Sequence, residues 1–240
     1  YILIIGSIVA LVFLAVAGNE KRAAAGLTRQ NWKSAVFIVL LFVGIYIVRT
    51  VVSMAGQGVS DGSGMQYVKE WAAMFKNPMM WLNIAALPIN YFFVFIAFFG
   101  EEYGWRYYLQ PVLQKRFGLR AGVIILGVVW GLWHIPDDLF YYTQTSGIQM
   151  IFAQQITCIS LGIFFAYAYM KTQNIWVPVC LHYLNNNLIP IISGTFSADV
   201  LENQTVSWKN LPVALVLNGL CFGFFLLADV FKKKEVQEEE

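Results

Sequence analysis

The side chains best suited to chemistry in this sequence lie inside long apolar segments, where an ionisable or strongly polar group is costly. They comprise two neighbouring glutamates, an arginine, the chain's two histidines and one asparagine: Glu101, Glu102, Arg106, His134, His182 and Asn186. Because ionisable residues are otherwise scarce in the apolar segments, we interpret these residues as candidates for a functional site.

The two glutamates differ in the partner that their spacing offers. Glu102 and Arg106 are four residues apart with the acid first, which favours an ion pair along one helix face. Glu101 is rotated by roughly 100° from Glu102 and has no such partner. A carboxylate beside a second acid tends to hold a proton. Within reach of an imidazole, Glu101 could take a proton from water and later deliver it to a leaving amine.

The remaining candidates also form pairs with helical spacing. His182 and Asn186 are four residues apart, and together they offer hydrogen-bond donors of the kind that stabilises the negative oxygen of a tetrahedral intermediate. Trp130 precedes His134 by four residues, which places an aromatic wall one turn from an imidazole. We expect the three helices to bury these pairs against one another, because that satisfies them in lipid.

The composition indicates that all of these helices lie in a membrane. Of 240 residues, 58% are hydrophobic and only 12% are charged, whereas a soluble domain carries roughly 25% charged residues. We predict an all-α integral membrane protein, a single transmembrane domain over residues 1–240 with about seven membrane helices. These helices are predicted at residues 1–18, 34–56, 80–108, 119–136, 148–170, 174–192 and 211–231.

Charge distribution predicts the orientation of the chain. Basic residues concentrate in alternate loops and in the charged tail 232–240, and such loops remain in the cytoplasm. We therefore expect a multi-pass protein with a cytoplasmic C-terminus. The short loops and the lack of a eukaryotic targeting signal favour a bacterial plasma membrane. We interpret residues 1–18 as a first helix rather than a signal peptide, and since the sequence begins with Tyr1 we expect an N-terminal segment to be missing. The net charge of +2 does not suggest a nucleic-acid partner.

Three motifs resemble those of a known family, the CAAX protease and bacteriocin-processing family of membrane glutamic endopeptidases, related to the Ras-converting CAAX endopeptidase. The segment from Glu101 to Arg106 matches its EExxxR motif. The segments from Trp130 to His134 and from His182 to Asn186 correspond to its FxxxH and HxxxN motifs. The resemblance covers about residues 80–192, and the three motifs together are far more specific than any one of them.

The resemblance implies a role for each matched position. Glu101 and His134 would activate a water molecule, and Glu102 and Arg106 would support Glu101. His182 and Asn186 would form the oxyanion site. The family usually has eight helices and needs neither a metal nor another cofactor in the mechanism usually drawn. Its substrates are peptides or membrane-associated proteins. Trp130 departs from the family pattern, which has Phe at that position.

Two alternative functions stay open. Glu101, His134 and His182 are a plausible zinc ligand set, although no HExxH motif is present. A non-enzymatic immunity or partner-binding protein with the same fold is the second alternative. The oligomeric state is not predicted.

Depth in the membrane poses a problem for all of these functions. At ~1.5 Å per residue from the predicted cytoplasmic ends, His134 lies roughly 22 Å deep and Glu101 much shallower. Helix four must start outside the bilayer, tilt strongly, or bend at Gly127 or Gly131.

Overall fold

The computed structural model describes residues 15–27, 29–57, 63–195 and 198–232, together with Val9 and Val12. All regular elements in these ranges are helical, so the predicted all-α class is confirmed. The α-helices are α1 (Asn19–Ala24), α2 (Trp32–Gln57), α3 (Gly64–Met74), α4 (Pro78–Glu102), α5 (Gln110–Phe117), α6 (Leu119–Trp133), α7 (Ile135–Phe140), α8 (Gly147–Thr172), α9 (Trp176–Ser193), α10 (Ala198–Glu202) and α11 (Asn210–Cys221).

Four helical stretches of the described chain are long and apolar enough to cross a membrane. They are Trp32–Gly56, Pro78–Phe117, Leu119–Phe140 and Gly147–Thr172. Helix α9 covers most of the predicted segment 174–192, and α11 covers only the first half of the predicted segment 211–231. Neither helix meets the length and hydropathy of the four spans. Most of the first predicted helix, 1–18, and nearly all of the tail 232–240 lie outside the described residues. The described part thus supports a smaller set of full spans than the seven predicted.

The helix that carries the two glutamates is much longer than predicted. It begins at Pro78, where the side chain of Asn77 caps it by accepting a hydrogen bond from the Met79 amide at 2.9 Å. Instead of ending near residue 108, the helical run continues through a π-helical segment, Tyr103–Leu109, into α5 and ends at Phe117. Glu101, Glu102 and Arg106 therefore lie in the interior of this helical run and not at its end.

This extension removes the depth problem. Gly118, whose φ of 88° suits a residue without a side chain, reverses the chain between α5 and α6. Glu102 and His134 each lie 15 residues from the helix end beside this turn, which is roughly 22 Å along either helix. The two residues are consequently level with each other, and a bend in α6 is not needed.

Helix α8 occupies the centre of the structure and contacts α2, α6, α9 and α11. Its Phe164 and Phe165 are fully buried and pack with aromatic residues from both sides of the bundle. Phe42 of α2 lies 5.6 Å from the ring centre of Phe164, and Trp130 of α6 lies 5.9 Å from that of Phe165. This aromatic core fixes the depth of Trp130, which forms one wall of the site described below.

The two glycines considered as hinges have a packing role instead. Helix α6 is continuous from Leu119 to Trp133. A Cβ atom at Gly127 would lie 2.6 Å from the Cα atom of Ile159 on α8, and one at Gly131 would lie 2.6 Å from the side-chain amide of Gln155. The missing side chains let α6 and α8 approach each other closely, as small residues do in membrane bundles.

Replacing Gly127 by Ala is expected to destabilise the protein by about 1–3 kcal/mol, because the added methyl group meets backbone that cannot rotate away. Unfolding in detergent measures the effect. Gly44→Ala on α2 is the matched control, since a Cβ atom there meets nothing within 4 Å. Equal stability of the two variants would show that the close approach at Gly127 does not contribute to the free energy of unfolding.

Only the first half of the last predicted helix, 211–231, is α-helical. Helix α11 ends at Cys221 and two 3₁₀ turns follow, Gly223–Leu227 and Asp229–Phe231. The irregular backbone lets Phe222 and Phe231 turn inward and become buried. The α-helix ends where these two side chains become buried against α8. The apolar pattern of the sequence predicted a continuous helix and did not indicate this end.

Candidate active site

An ion pair buried within the helix bundle anchors the site. The Nε atom of Arg106 donates to Glu102 Oε2 at 2.9 Å, and both side chains are completely buried. Arg106 Nη1 also donates to the Gly162 carbonyl oxygen of α8 at 3.2 Å. The guanidinium lies 5.4 Å from the ring centre of Trp130, within range of a cation–π interaction. The pair expected from the spacing is therefore present, and it also joins α4 to α6 and α8.

The Arg106 side of this pair lies on the π-helical segment, which begins at Tyr103 directly after Glu102. Segments of this kind are rare and often occur at functional sites. The π-helical segment was not predicted from the sequence. Gly104 lies within it, but a Cβ atom at Gly104 would meet no described atom within 4 Å, so this glycine does not mark the segment through a close contact.

His182 is the second partner of Glu102. Its Nδ1 atom lies 2.9 Å from Glu102 Oε1, and the histidine is buried. A carboxylate held ionised by Arg106 can only accept, so His182 Nδ1 carries a proton and the Nε2 atom is the nitrogen left for other partners. Glu102 thus bridges Arg106 and His182. The described contacts of Glu102 are with these two residues, whereas the resemblance had implied support for Glu101.

His134 lies at the break between α6 and α7. Its own amide bonds to the Gly131 carbonyl, which leaves the Trp130 carbonyl oxygen to accept from His134 Nδ1 at 2.9 Å. Cys158 Sγ is a further neighbour of that nitrogen, at 3.8 Å. Because a carbonyl oxygen can only accept, Nδ1 carries the proton, and Nε2 is the ring nitrogen without a hydrogen bond to any described residue. Both histidines of the chain are therefore fixed in the same way.

One cavity brings the two imidazoles together. Trp130 stands between them, with ring centres 5.8 Å from His134 and 5.4 Å from His182. The cavity measures about 360 Å³. Its lining comprises Trp130, His134, Tyr141, Tyr142, Met150, Gln154, Thr157, Cys158, Leu161, His182, Asn185, Asn186, Pro190, Leu201 and Gln204. Among the six candidates, His134, His182 and Asn186 therefore share one polar space.

Glu101 has fewer contacts with the site than the other five candidates. Its side chain is half-buried, and its Oε2 atom is buried without a hydrogen-bond partner among the described residues. Glu101 does not line the cavity, and within the described ranges no hydrogen bond joins it to His134 or His182. The structure thus assembles the other candidates into a connected group and leaves Glu101 beside Glu102 as the carboxylate that is not engaged in an ion pair.

The geometry bears on the zinc hypothesis. Across the ranges that the structure describes, no group of three His, Cys, Asp or Glu side chains is close enough to hold a metal ion. Glu101, His134 and His182 are therefore not arranged as a ligand set.

Several polar residues of this region were missed in the sequence. Gln154, Thr157 and Gln204 line the cavity but lie on segments without a motif. Asp138 is fully buried on α7, and neither of its carboxylate oxygens has a hydrogen-bond partner within the described part of the chain. Its position four residues after His134 was the one available signal.

Comparisons with known proteins identify sequences that this chain resembles. Residues 81–188 match a family described as type II CAAX prenyl endopeptidase, Rce1-like. A curated relative, CAAX prenyl protease 2 of Methanococcus maripaludis, is 27% identical over 125 residues, which cover 48% of this chain and 45% of the relative. The chain thus matches less than half of the relative's length. No solved structure matches the chain.

The matched range contains all three motifs and all six candidate residues, and the resemblance to CAAX proteases is confirmed. Residues 81–188 of this chain are thus similar to the Rce1-like family of type II CAAX prenyl endopeptidases.

Proposed function

We propose that this protein is an intramembrane endopeptidase that hydrolyses a peptide bond of a membrane-associated peptide or protein. Glu101 and His134 activate the attacking water molecule. His182 and Asn186 stabilise the oxyanion, and Glu102 and Arg106 hold His182 in place.

One observation carries this proposal. The two histidines and Asn186 come from helices far apart in the sequence, yet they line one cavity. Polar side chains gathered between apolar helices are costly and point to a functional site. The ion pair that fixes His182 supports the same conclusion, because a catalytic group must be held in a defined orientation.

The proposed reaction needs one proton transfer in each direction. Glu101 or His134 Nε2 takes a proton from water as the water oxygen attacks the scissile carbonyl carbon. The carbonyl π bond opens, and its electron pair becomes the oxyanion, which accepts hydrogen bonds from His182 and Asn186. When the carbon–nitrogen bond breaks, the same base returns the proton to the leaving amine. The products are a carboxylic acid and an amine, so the atoms balance.

The role of His182 sets a condition on its charge. Since Nδ1 donates to Glu102, His182 can donate from Nε2 only as an imidazolium. Glu102 already balances Arg106, so the imidazolium adds one positive charge to the buried group. The oxyanion of the intermediate compensates this charge, which makes the interaction stronger in the transition state than in the ground state.

The names of the relatives support a proposal for the substrate class. The family is described as one of CAAX prenyl endopeptidases, and the relative from Methanococcus maripaludis is named CAAX prenyl protease 2; both names support a prenylated CAAX tail as a substrate to propose. We propose a tail of this kind, presented from a lipid bilayer, as the first substrate to test. The predicted location is a bacterial plasma membrane with a cytoplasmic C-terminus.

The first test measures hydrolysis of an internally quenched peptide with a prenylated CAAX tail by protein reconstituted in vesicles. Replacement of His182 by Ala or of Asn186 by Ala is expected to lower kcat by ~10²–10³, the range seen when one oxyanion donor is removed. Asn187→Ala is the matched control, because Asn187 donates back to the Tyr183 carbonyl of its own helix and does not line the cavity.

The outcome separates the alternatives. Full hydrolysis by both His182→Ala and Asn186→Ala would contradict the proposed site. Hydrolysis of an unprenylated peptide at an equal rate would support a peptidase with a different substrate. A wild-type protein that cleaves neither peptide would contradict the proposal and favour a partner-binding role.

A further inference from the structure

Tyr46 of α2 connects the aromatic core to the wall of the cavity. Its ring is buried against Phe42 and Phe222, with ring centres 4.9 and 5.1 Å away. Its hydroxyl group lies 2.5 Å from Oδ1 of Asn185, a residue 139 positions further along the chain. The rigid surroundings of the ring fix the position of the hydroxyl group, so this contact is a fixed point next to the cavity.

The contact continues to the proposed oxyanion residue. Nδ2 of Asn185 donates to Oδ1 of Asn186 at 2.9 Å. The three groups form a chain in which the Tyr46 hydroxyl donates to Asn185 and the Asn185 amide donates to Asn186. With its oxygen engaged in this way, Asn186 has its NH₂ group left to donate to a partner in the cavity that it lines.

The direction of this chain depends on Tyr46. If both amides were reversed, Asn185 would donate to the Tyr46 oxygen and Asn186 would present its carbonyl oxygen to the cavity, which would repel an oxyanion. The hydroxyl proton of Tyr46 would then need another acceptor. Among the described residues, the amide oxygen of Asn185 is the acceptor found for it. A buried donor without an acceptor is destabilising, so the tyrosine favours the orientation in which Asn186 keeps its NH₂ group for the cavity.

We propose that Tyr46 and Asn185 are positioning residues that orient the amide of Asn186 for oxyanion stabilisation. This inference rests on the proposed function. It assigns a catalytic consequence to a helix, α2, that lies outside the family match and carries none of the three motifs.

Tyr46→Phe tests the inference because it keeps the buried ring and removes only the hydroxyl group. With the prenylated CAAX peptide as probe, we expect kcat to fall about tenfold, less than for deletion of an oxyanion donor, with little change in KM. In an Asn186→Ala background the same substitution is expected to cause no further loss, because residues that act through one another are not additive. Unfolding in detergent checks that the ring still packs.

Tyr183→Phe is the matched control. Tyr183 is also a buried tyrosine with a bonded hydroxyl group, but its hydroxyl group donates to the Leu87 carbonyl oxygen at 2.7 Å and lies 2.9 Å from the side-chain amide of Asn90. Any loss caused by Tyr183→Phe should therefore be the same with and without Asn186→Ala.

The test separates a failure of the inference from a failure of the proposed function. Tyr46→Phe that leaves kcat unchanged, or lowers it equally in both backgrounds, would overturn the positioning role while a large effect of Asn186→Ala leaves the proposed function standing. Unchanged activity in Asn186→Ala itself would overturn both.

Discussion

Glu101→Gln is expected to lower kcat by ~10²–10⁴, the usual contribution of a general acid or base, without lowering stability. The reason is the difference between the two neighbouring glutamates. Glu101 is half-buried and outside the ion pair, whereas Glu102 is fully buried between Arg106 and His182. Glutamine keeps the size of Glu101 and removes only its ability to exchange a proton. Hydrolysis of the prenylated peptide and unfolding in detergent measure the two quantities.

Glu102→Gln is the control for Glu101→Gln, because it changes the neighbouring glutamate that takes part in the ion pair. A glutamine at that position has one acceptor oxygen for two donors, so either Arg106 or His182 loses its partner at a cost of about 1–3 kcal/mol. We expect Glu102→Gln to lower both stability and activity, and Glu101→Gln to lower activity alone. Full activity in Glu101→Gln would exclude that residue as the base and leave His134 as the group that takes the proton from water.

The parts of the site that could be predicted from the sequence are local. Glu102 and Arg106 share one helix, and a separation of four residues on any helix places two side chains on one face. Their ion pair therefore needed no knowledge of packing. The motifs also assigned a proposed role to each of the two histidines.

The contacts that define the site are not local. The bond from Glu102 to His182 joins residues 80 positions apart, and it exists because α4 packs against α9 at one particular depth. That depth depends on the continuation of the helical run to Phe117, and no residue near 108 signals that the helix does not stop there. One misplaced helix end was enough to separate Glu101 from His134 by most of a membrane leaflet.

The glycines of α6 show the same limit in another form. In a sequence, Gly127 is compatible with a hinge and with a close approach between helices. The two interpretations differ only in which atoms face the glycine, and Gly127 faces the backbone of α8. The choice between them needs tertiary structure.

The same non-local contacts make Arg106 the residue whose loss should cost the most stability. Arg106→Met keeps much of the side-chain volume but leaves the fully buried carboxylate of Glu102 with His182 as its one partner. Removing one member of a buried ion pair typically costs about 3–5 kcal/mol, because the remaining charge stays buried. We expect a decrease of this size in the free energy of unfolding in mixed detergent micelles, together with loss of peptide hydrolysis.

The double variant Glu102→Gln, Arg106→Met distinguishes this cause from a loss of packing. It removes both charges while the glutamine oxygen still accepts the proton of His182 Nδ1, so no unpaired carboxylate remains. If the buried charge is the cause, the double variant is more stable than Arg106→Met alone, since removing both members of a buried pair costs less than removing one. If instead the contacts of Arg106 with Gly162 and Trp130 dominate, the double variant is no more stable than Arg106→Met, and the ion pair serves orientation of His182 rather than stability.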